Sequence, residues 1–368
     1  MGTMLKLDKV TKIYPGTDFR AVDELSFELE EGEICILVGP SGCGKTTAMK
    51  MINRLHSITS GKIYIDGQDV SSMDTIQLRR RIGYVIQNVG LFPNMTIAEN
   101  ISVIPNLLKW DKRKINERVH SLLEIVNLSA EEYKDRYPRE LSGGQQQRIG
   151  VARGMAGDPP IMLMDEPFGA IDPINRDHLQ NEFLKIQEKV KKTIVFVTHD
   201  IDEAIKMGDK ICLLRDGKLI QFASPEEMLT HPKNDFVRDF VGGDRTIKRL
   251  NLFSISKVMR DDPPLIQASA GLEEARSSLS EYGTDCLVVL DENGRLAGLA
   301  ADEDLQNKGE TVADVVQRTN AYLDGTASLK EALSEIFTHD TGFLIVVDGD
   351  KKVSGWLDTN DIKKALKD

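Results

Sequence analysis

The chain has 368 residues, 40% of them hydrophobic, and a net charge of −11, which gives it the length and apolar content to bury a full core in two or three domains. Its longest apolar runs, Ile34 to Val38, Ile161 to Met164 and Ile194 to Val197, fall far short of the roughly 18 residues that a membrane-spanning helix needs, so any membrane crossing is expected from a partner. The acidic balance argues against a nucleic-acid partner, and the scattered Cys35, Cys43, Cys212 and Cys286 lack metal-ligand spacing and read as reduced thiols.

The N-terminal Met1-Gly2-Thr3-Met4-Leu5-Lys6 lacks the basic segment and apolar core of a secretory signal, so the chain is expected to stay in the cytoplasm. Up to about residue 240, strand-like runs alternate with amphipathic stretches, the pattern of an α/β fold with a mostly parallel sheet. Candidate strands are Ile34–Val38, Ile63–Ile65, Ile82–Ile86, Ile161–Met164, Ile194–Thr198 and Ile211–Leu214. Residues 88–157 carry few strand signals and read as a mostly helical insertion.

Gly39-Pro40-Ser41-Gly42-Cys43-Gly44-Lys45-Thr46-Thr47 fits G-x-x-x-x-G-K-[ST] directly after the first candidate strand and before the helical pattern Ala48–Leu55. Glycines there let backbone N–H groups wrap phosphates, Lys45 supplies a cation to the β- and γ-phosphates, and Thr46 offers a hydroxyl to Mg²⁺. Cys43, at a helix start among those amides, is expected to be a reactive thiolate, with an inert space-filling residue as the alternative. Downstream, the run Ile161 to Met164 ends in Asp165-Glu166, which puts two carboxylates at the carboxyl end of a buried strand, where α/β sheets hold ligands. Asp165 is expected to hold Mg²⁺ and Glu166 to polarise the attacking water. Leu141-Ser142-Gly143-Gly144-Gln145 opens a helix-like stretch, and a helix start offers oriented N–H donors to an anion.

In this order, and with His199 following the strand Ile194–Thr198, these elements resemble the ATP-binding subunits of ABC transporters over about residues 4–240. The resemblance implies a P-loop ABC-type ATPase domain at 1–241 with a helical subdomain at about 88–157. It implies a homodimer in which Ser142, Gly143, Gly144 and Gln145 of one subunit close over ATP held by the loop of the other. It assigns Tyr14 to stacking on adenine, Gln87 to sensing the γ-phosphate and joining Asp165 and Thr46 around Mg²⁺, Asp172 to the inter-subunit loop, and His199 to the γ-phosphate. Taken singly, each has a plain alternative: a half-buried aromatic, a turn residue, a helix cap and a core histidine. Asn88–Asn100, with Leu91, Phe92 and Met95, is the region this family uses to receive the permease, a buried core segment being the rival reading.

Past a glycine hinge at Val241 to Arg245, read as part of a linker at 242–250, residues 287–305 align with 344–362 at an offset of 57, matching Asp291 with Asp348, Gly298 with Gly355 and Asp304 with Asp361. This is read as a smaller α/β tandem at 251–368 built from two copies, about 251–306 and 307–368. The copies resemble a pair of cystathionine-β-synthase (CBS) motifs, which implies an adenine nucleotide or cyclic dinucleotide held by Asp304 and Asp361. The position before the acidic helix start that often carries Ser or Thr is here Ala301 and Asp358. Residues 251–368 also hold 12 Lys and Arg against 22 Asp and Glu, a poor field for a polyanion. Dimerisation or ionic-strength sensing stays open beside nucleotide binding.

The segments 49–55, 79–87, 90–96 and 165–173 look like those of subunits that energise uptake of glycine betaine, carnitine and choline. That resemblance implies a separate transmembrane permease, an extracytoplasmic substrate-binding protein and a place at the cytoplasmic face of the membrane. An importer of another solute, such as ergothioneine, or an ATP-dependent regulatory binding protein are the alternatives.

Overall fold

The computed structural model describes residues 2–86, 90–169, 171, 173–307, 309–339 and 341–366. The chain forms two compact units, Met1–Gly243 and Asp244–Asp368.

In the first unit the long strands Thr3–Ile13 and Arg20–Glu30 alternate buried and exposed residues, the period-two signature of a sheet with one wet face. A search for continuous apolar runs passes over them, because no more than two apolar residues stand in a row in either strand. They pair antiparallel, Lys6 facing Glu28 with an ion pair at 2.7 Å. With Ser60–Ile65 and Gln68–Asp69 they make a four-stranded sheet, so Ile63 to Ile65 belongs here and not to the parallel sheet.

The second sheet runs in the order Lys218–Ala223, Lys210–Arg215, Ile34–Val38, Thr193–Val197, Ile161–Asp165, Ile82–Val85. All neighbours are parallel except the first pair, a hairpin. Ile34–Val38 and Thr193–Val197 are buried along their whole length, as strands covered on both faces must be. Their unbroken apolar runs made them readable from sequence. Between residues 90 and 155 the described residues contain helices and no strand: Ile97–Leu107, Lys112–Ile125, Ala130–Tyr133 and Gly143–Met155. Thr96 and Glu99 close a capping box at the first of these, and the Asp111 carboxylate caps the second.

The second unit repeats itself element by element. Strand Leu265–Gln267, helix Leu272–Tyr282 and strands Cys286–Leu290 and Leu296–Ala301 recur 57 residues later as Tyr322–Asp324, Leu329–His339, Phe343–Val347 and Val353–Asp358. Each repeat makes its own three-stranded sheet, and Val288, Ile345 and Val347 are buried in an apolar cluster that draws on both sheets. The stretch 242–250, expected as a linker, is helical from Arg245 to Leu250. Leu250 is buried with Leu329, Ile336 and Leu344 in the second repeat's core, so burial of one leucine carries the unit's boundary back to Asp244.

Among the isolated backbone bridges that join the repeats, Arg260 with Trp356 and Leu299 with Gln317 form a symmetric pair of crossings. Gly355 and Gly298 stand at these crossings because a Cβ would lie 2.5 Å from the Arg260 carbonyl oxygen in one and 2.2 Å from that of Gln317 in the other. Gly298→Ala and Gly355→Ala are therefore each expected to destabilise the tandem by about 1–3 kcal/mol through forced backbone shifts. Gly349→Ala, where the added methyl meets open space, is expected to be silent in the same thermal-unfolding measurement.

Candidate active site

The site is assembled where three neighbouring parallel strands end. Val197 stands in register with both Leu37 and Asp165, so the loop after Ile34–Val38, the turn carrying His199 and the Asp165-Glu166 pair emerge side by side. They surround a cavity of about 280 Å³ lined by Ala21, Ser41 to Thr47, Glu166 and His199.

The loop's glycines answer to close approach. A Cβ on Gly39 would sit 2.1 Å from the Leu214 carbonyl oxygen, and one on Gly44, at φ +105°, 2.4 Å from that of Ala21. Helix Lys45–Ile52 starts at Gly44 with no acidic residue in its first turn, leaving its positive end to an anion. Lys45 is buried, its Nζ donating to the carbonyl oxygens of Gly39 at 2.7 Å and Pro40 at 3.0 Å. Among the described residues no carboxylate forms an ion pair with it. A buried cation held by neutral carbonyls and the Cys43 sulfur at 3.7 Å is a strong electrostatic lure for a phosphate.

Thr46 Oγ1 donates to Asp165 Oδ1 at 3.4 Å. Burial pushes the Asp165 carboxyl above its ordinary range and the neighbouring Glu166 adds to this, while Thr46, Lys50 and Lys45 oppose it. A dication would relieve that cost by favouring the ionised form, and the hydroxyl and carboxylate oxygens are the hard donors that Mg²⁺ takes. The pair fits the metal. Glu166 has a left-handed backbone, φ +43°, fixed by its amide donating to Val197 O at 2.9 Å. A non-glycine residue in that region stores strain of order 1 kcal/mol or more, and such residues cluster at functional sites. The turn brings Glu166 Oε1 to 3.4 Å from His199 Nδ1.

Residues 22–169 match the ABC transporter family, and residues 255–308 and 312–368 each match the CBS domain. The osmoprotectant import ATP-binding protein OsmV of Salmonella typhimurium is 46% identical over 96% of this chain and 93% of its own. The glycine betaine/carnitine/choline transport ATP-binding protein OpuCA of Bacillus subtilis is likewise 46% identical, over 96% of this chain and 93% of its own. Among solved structures, a dimeric ATP-binding cassette in a post-hydrolysis state, bound to ADP and Pi, aligns with 60% of this chain and 99% of its own at 34% identity and a TM-score of 0.53.

The chain belongs to the ATP-binding subunits of ABC transporters. It is an ATPase of that family, with a tandem CBS unit behind the cassette.

For an ABC subunit, the position of Ser142 to Gln145 is informative. Ser142 Oγ accepts from the Gln145 amide, and Gln145 Oε1 accepts from that of Ser142, a capping box that opens helix Gly143–Met155. Ser142 and Gly143 are exposed, and none of Ser142, Gly143, Gly144 and Gln145 lines the phosphate-loop cavity of its own chain. Tyr14 lies beside the loop's helix, its hydroxyl 3.5 Å from Thr47 Oγ1 and its ring edge-to-face with His56 at 5.7 Å. Gln87 and Asp172, expected at the γ-phosphate and between subunits, lie outside the described residues.

One expectation changes. Cys43 is 3% exposed and packs in the apolar core with Leu37 and Leu214. Burial pushes its thiol upward against the opposing pull of Lys45, so it is an inert filler and not a reactive thiolate. Asp304 and Asp361, expected to hold an adenine nucleotide, make contacts within the tandem. Asp304 accepts from Ala301 N at 3.0 Å and Gln317 Nε2 at 3.3 Å; Asp361 accepts from Asp358 N at 3.0 Å and lies 2.9 Å from Arg260 Nη2.

A second cavity, of about 360 Å³, is bounded by Arg79, Tyr84, Ile86, Phe92, Ile104 and Arg153; Phe92 was anticipated at a receiving surface, and the residue that sequence reasoning missed is Asn100. Asn100, fully buried, exchanges hydrogen bonds with Phe92 and donates to Met95 O and Thr96 O, freezing the loop that presents Phe92. An asparagine one position after the Thr96–Glu99 capping box was the available signal.

Glu166→Gln is expected to keep ATP binding but cut hydrolysis by about 10²–10⁴-fold, the usual contribution of a group that handles the water's proton. Steady-state phosphate release alongside nucleotide-binding titration measures both, and a variant that retains a tenth of wild-type turnover would remove Glu166 from that role.

Proposed function

We propose that this chain hydrolyses ATP between two copies of itself, bound to a permease at the cytoplasmic face of the membrane, and so drives uptake of a quaternary-ammonium osmoprotectant delivered by an extracytoplasmic substrate-binding protein. The convergence of Lys45, Thr46, Glu166 and His199 on one cavity, with Asp165 hydrogen-bonded to Thr46 and the exposed Ser142 helix start outside the cavity, carries the ATPase part of this reading. The names of the relatives carry the solute.

In this reading the loop amides and Lys45 hold the β- and γ-phosphates in place, which matters because phosphoryl transfer is catalysed mainly by positioning and charge neutralisation. Thr46 and Asp165, with Gln87, hold Mg²⁺, which supplies charge neutralisation at the phosphate oxygens when bound. Glu166 orients the attacking water and takes up its proton. His199 donates to the γ-phosphate, and Ser142 with Gly143, Gly144 and Gln145 of the second copy covers the nucleotide, whose adenine lies by Tyr14. Asp172 sits between the copies.

The cavity edged by Phe92 and Ile86 receives the permease. Among the described residues no helix is long and apolar enough to cross a membrane, which fits a separate membrane chain. Phe92 is 46% exposed, so Phe92→Ala is expected to move stability by no more than about 0.5 kcal/mol while lowering solute uptake per ATP hydrolysed by about tenfold through lost apolar contact. Reconstitution with the permease, reading uptake and hydrolysis together, tests this, and a large fall in melting temperature would return Phe92 to the core.

The CBS tandem regulates the cassette, with an adenine nucleotide, cyclic dinucleotides included, or ionic strength as the signal. Because Leu250 is part of the tandem's core, the informative truncation is after Gly243 and not after Leu250. That truncated chain is expected to retain hydrolysis and lose the response to the signal. Calorimetric titration of residues 244–368 with adenine nucleotides up to about 1 mM, where binding is worth roughly 4 kcal/mol, separates the two signals.

A further inference from the structure

Tyr14, proposed above to lie by the adenine, is gripped by two residues that no step of the hydrolysis uses. It directly follows strand Thr3–Ile13 and is half-buried. Lys12 Nζ stands over its ring, 5.1 Å from the centroid. The His56 imidazole meets the ring edge-to-face at 5.7 Å, and Thr47 Oγ1 lies 3.5 Å from its hydroxyl. Lys12 is 7% exposed, and its Nζ donates to Ser57 O at 2.7 Å and to Ser57 Oγ at 3.4 Å. The lysine therefore reaches from the strand, past the ring, to the loop that follows helix Lys45–Ile52. Among the described residues no carboxylate forms an ion pair with Lys12.

Fastening the strand to that loop does not require a cation. Thr59 does so already: its amide donates to Thr11 O at 2.8 Å, and its Oγ1 accepts from Ile13 N at 3.0 Å. An ammonium withdrawn from water is costly unless it is well compensated, and a methionine at 12 would fill similar space without that cost. What a methionine cannot supply is a positive charge on the face of an aromatic ring, an attraction that strengthens as the cation is desolvated. His56 does not compete for that role, because burial and the nearby Lys50 and Lys12 lower its pKa and favour the neutral imidazole. The ring is thus held by a cation on its face, an imidazole beside it and a hydroxyl at its far end.

We propose that Lys12 and His56 are positioning residues for the base of ATP: together they set the orientation of the Tyr14 ring before the nucleotide arrives, which removes part of the ordering cost of binding. This rests on Tyr14 stacking on adenine, as read above. Their effect falls on affinity and not on the chemical step, since the base is held alike in the ground state and the transition state.

The test reads hydrolysis by the full chain at varied MgATP, with inorganic tripolyphosphate as a competitive inhibitor that has the phosphates and lacks the base. Lys12→Met is expected to raise KM for ATP about fivefold, with kcat and the tripolyphosphate inhibition constant each within about twofold of wild type. His56→Ala, at a half-buried position that tolerates substitution, is expected to raise KM about two- to threefold with the same two constants held, and it decides the matter where Lys12→Met does not fold. In a Tyr14→Ala chain, Lys12→Met is expected to raise KM by less than about a further twofold, because both changes remove one platform. Wild-type KM in either variant, a tripolyphosphate constant that rises in step with KM, or losses that multiply in the Tyr14→Ala chain would each overturn the proposal. Wild-type KM in Tyr14→Ala alone would instead remove the reading on which it rests.

Discussion

The chemistry of this chain depends on three adjacent parallel strands ending at one level. Because Val197 pairs with Leu37 on one side and Asp165 on the other, residues more than a hundred positions apart in sequence are forced to within hydrogen-bond reach. Every polar feature of the site then follows from what those ends need. The loop after Val38 must double back under the Leu214 and Ala21 carbonyls, so Gly39 and Gly44 carry no side chain. The chain must turn sharply after Asp165, so Glu166 accepts a left-handed backbone. Lys45 is buried beside the loop, its ammonium resting on the Gly39 and Pro40 carbonyls and the Cys43 sulfur.

The same constraint explains how much was legible in advance. Strands buried on both faces are unbroken apolar runs, so Ile34–Val38, Ile161–Asp165 and Thr193–Val197 announce themselves, and with them the loop, the acidic pair and the histidine that follow each strand. The half-wet strands Thr3–Ile13 and Arg20–Glu30 do not, since their alternation of charged and apolar residues is easily read as a surface stretch. Nor does the environment of a small residue: Cys43 sits in a motif that implies exposed amides, yet its own side chain turns into the core. Asn100 was hard to read for a related reason: a buried polar residue is identified by its partners, and the backbone groups of Phe92, Met95 and Thr96 that it bonds are brought to it by the fold of the loop.

In the tandem the 57-residue period was legible because glycine, acidic helix start and strand recur at fixed offsets, but its physical meaning was not. The matched glycines Gly298 and Gly355 mark where each repeat's strand is crossed by the other repeat's chain. The matched aspartates Asp304 and Asp361 stand in the first turn of the helix after each strand, accept from its N-cap amide, and catch a side chain from that same crossing segment. The repeat thus encodes how two halves lock, which is a demand of folding whatever the unit binds.

That lock is symmetric in geometry and asymmetric in charge. Position 260 is arginine, and its counterpart 317 is glutamine. Arg260 reaches Asp358 at 2.8 Å and Asp361 at 2.9 Å while lying 3.9 Å from the Trp356 ring; Gln317 gives Asp304 one neutral hydrogen bond at 3.3 Å. A guanidinium shared by two carboxylates and stacked on indole is held much more firmly than an amide on one carboxylate. A ligand that needed Asp361 would first have to displace Arg260, whereas one that needed Asp304 would compete only with Gln317. In a unit with ten more acidic than basic side chains over residues 251–368, an anion would have to overcome a repulsive field at Asp304 that Arg260 relieves at Asp361. The two repeats of the tandem therefore offer chemically different surfaces. A signal read by this tandem would act on one half more than the other, although the backbone is nearly the same in both.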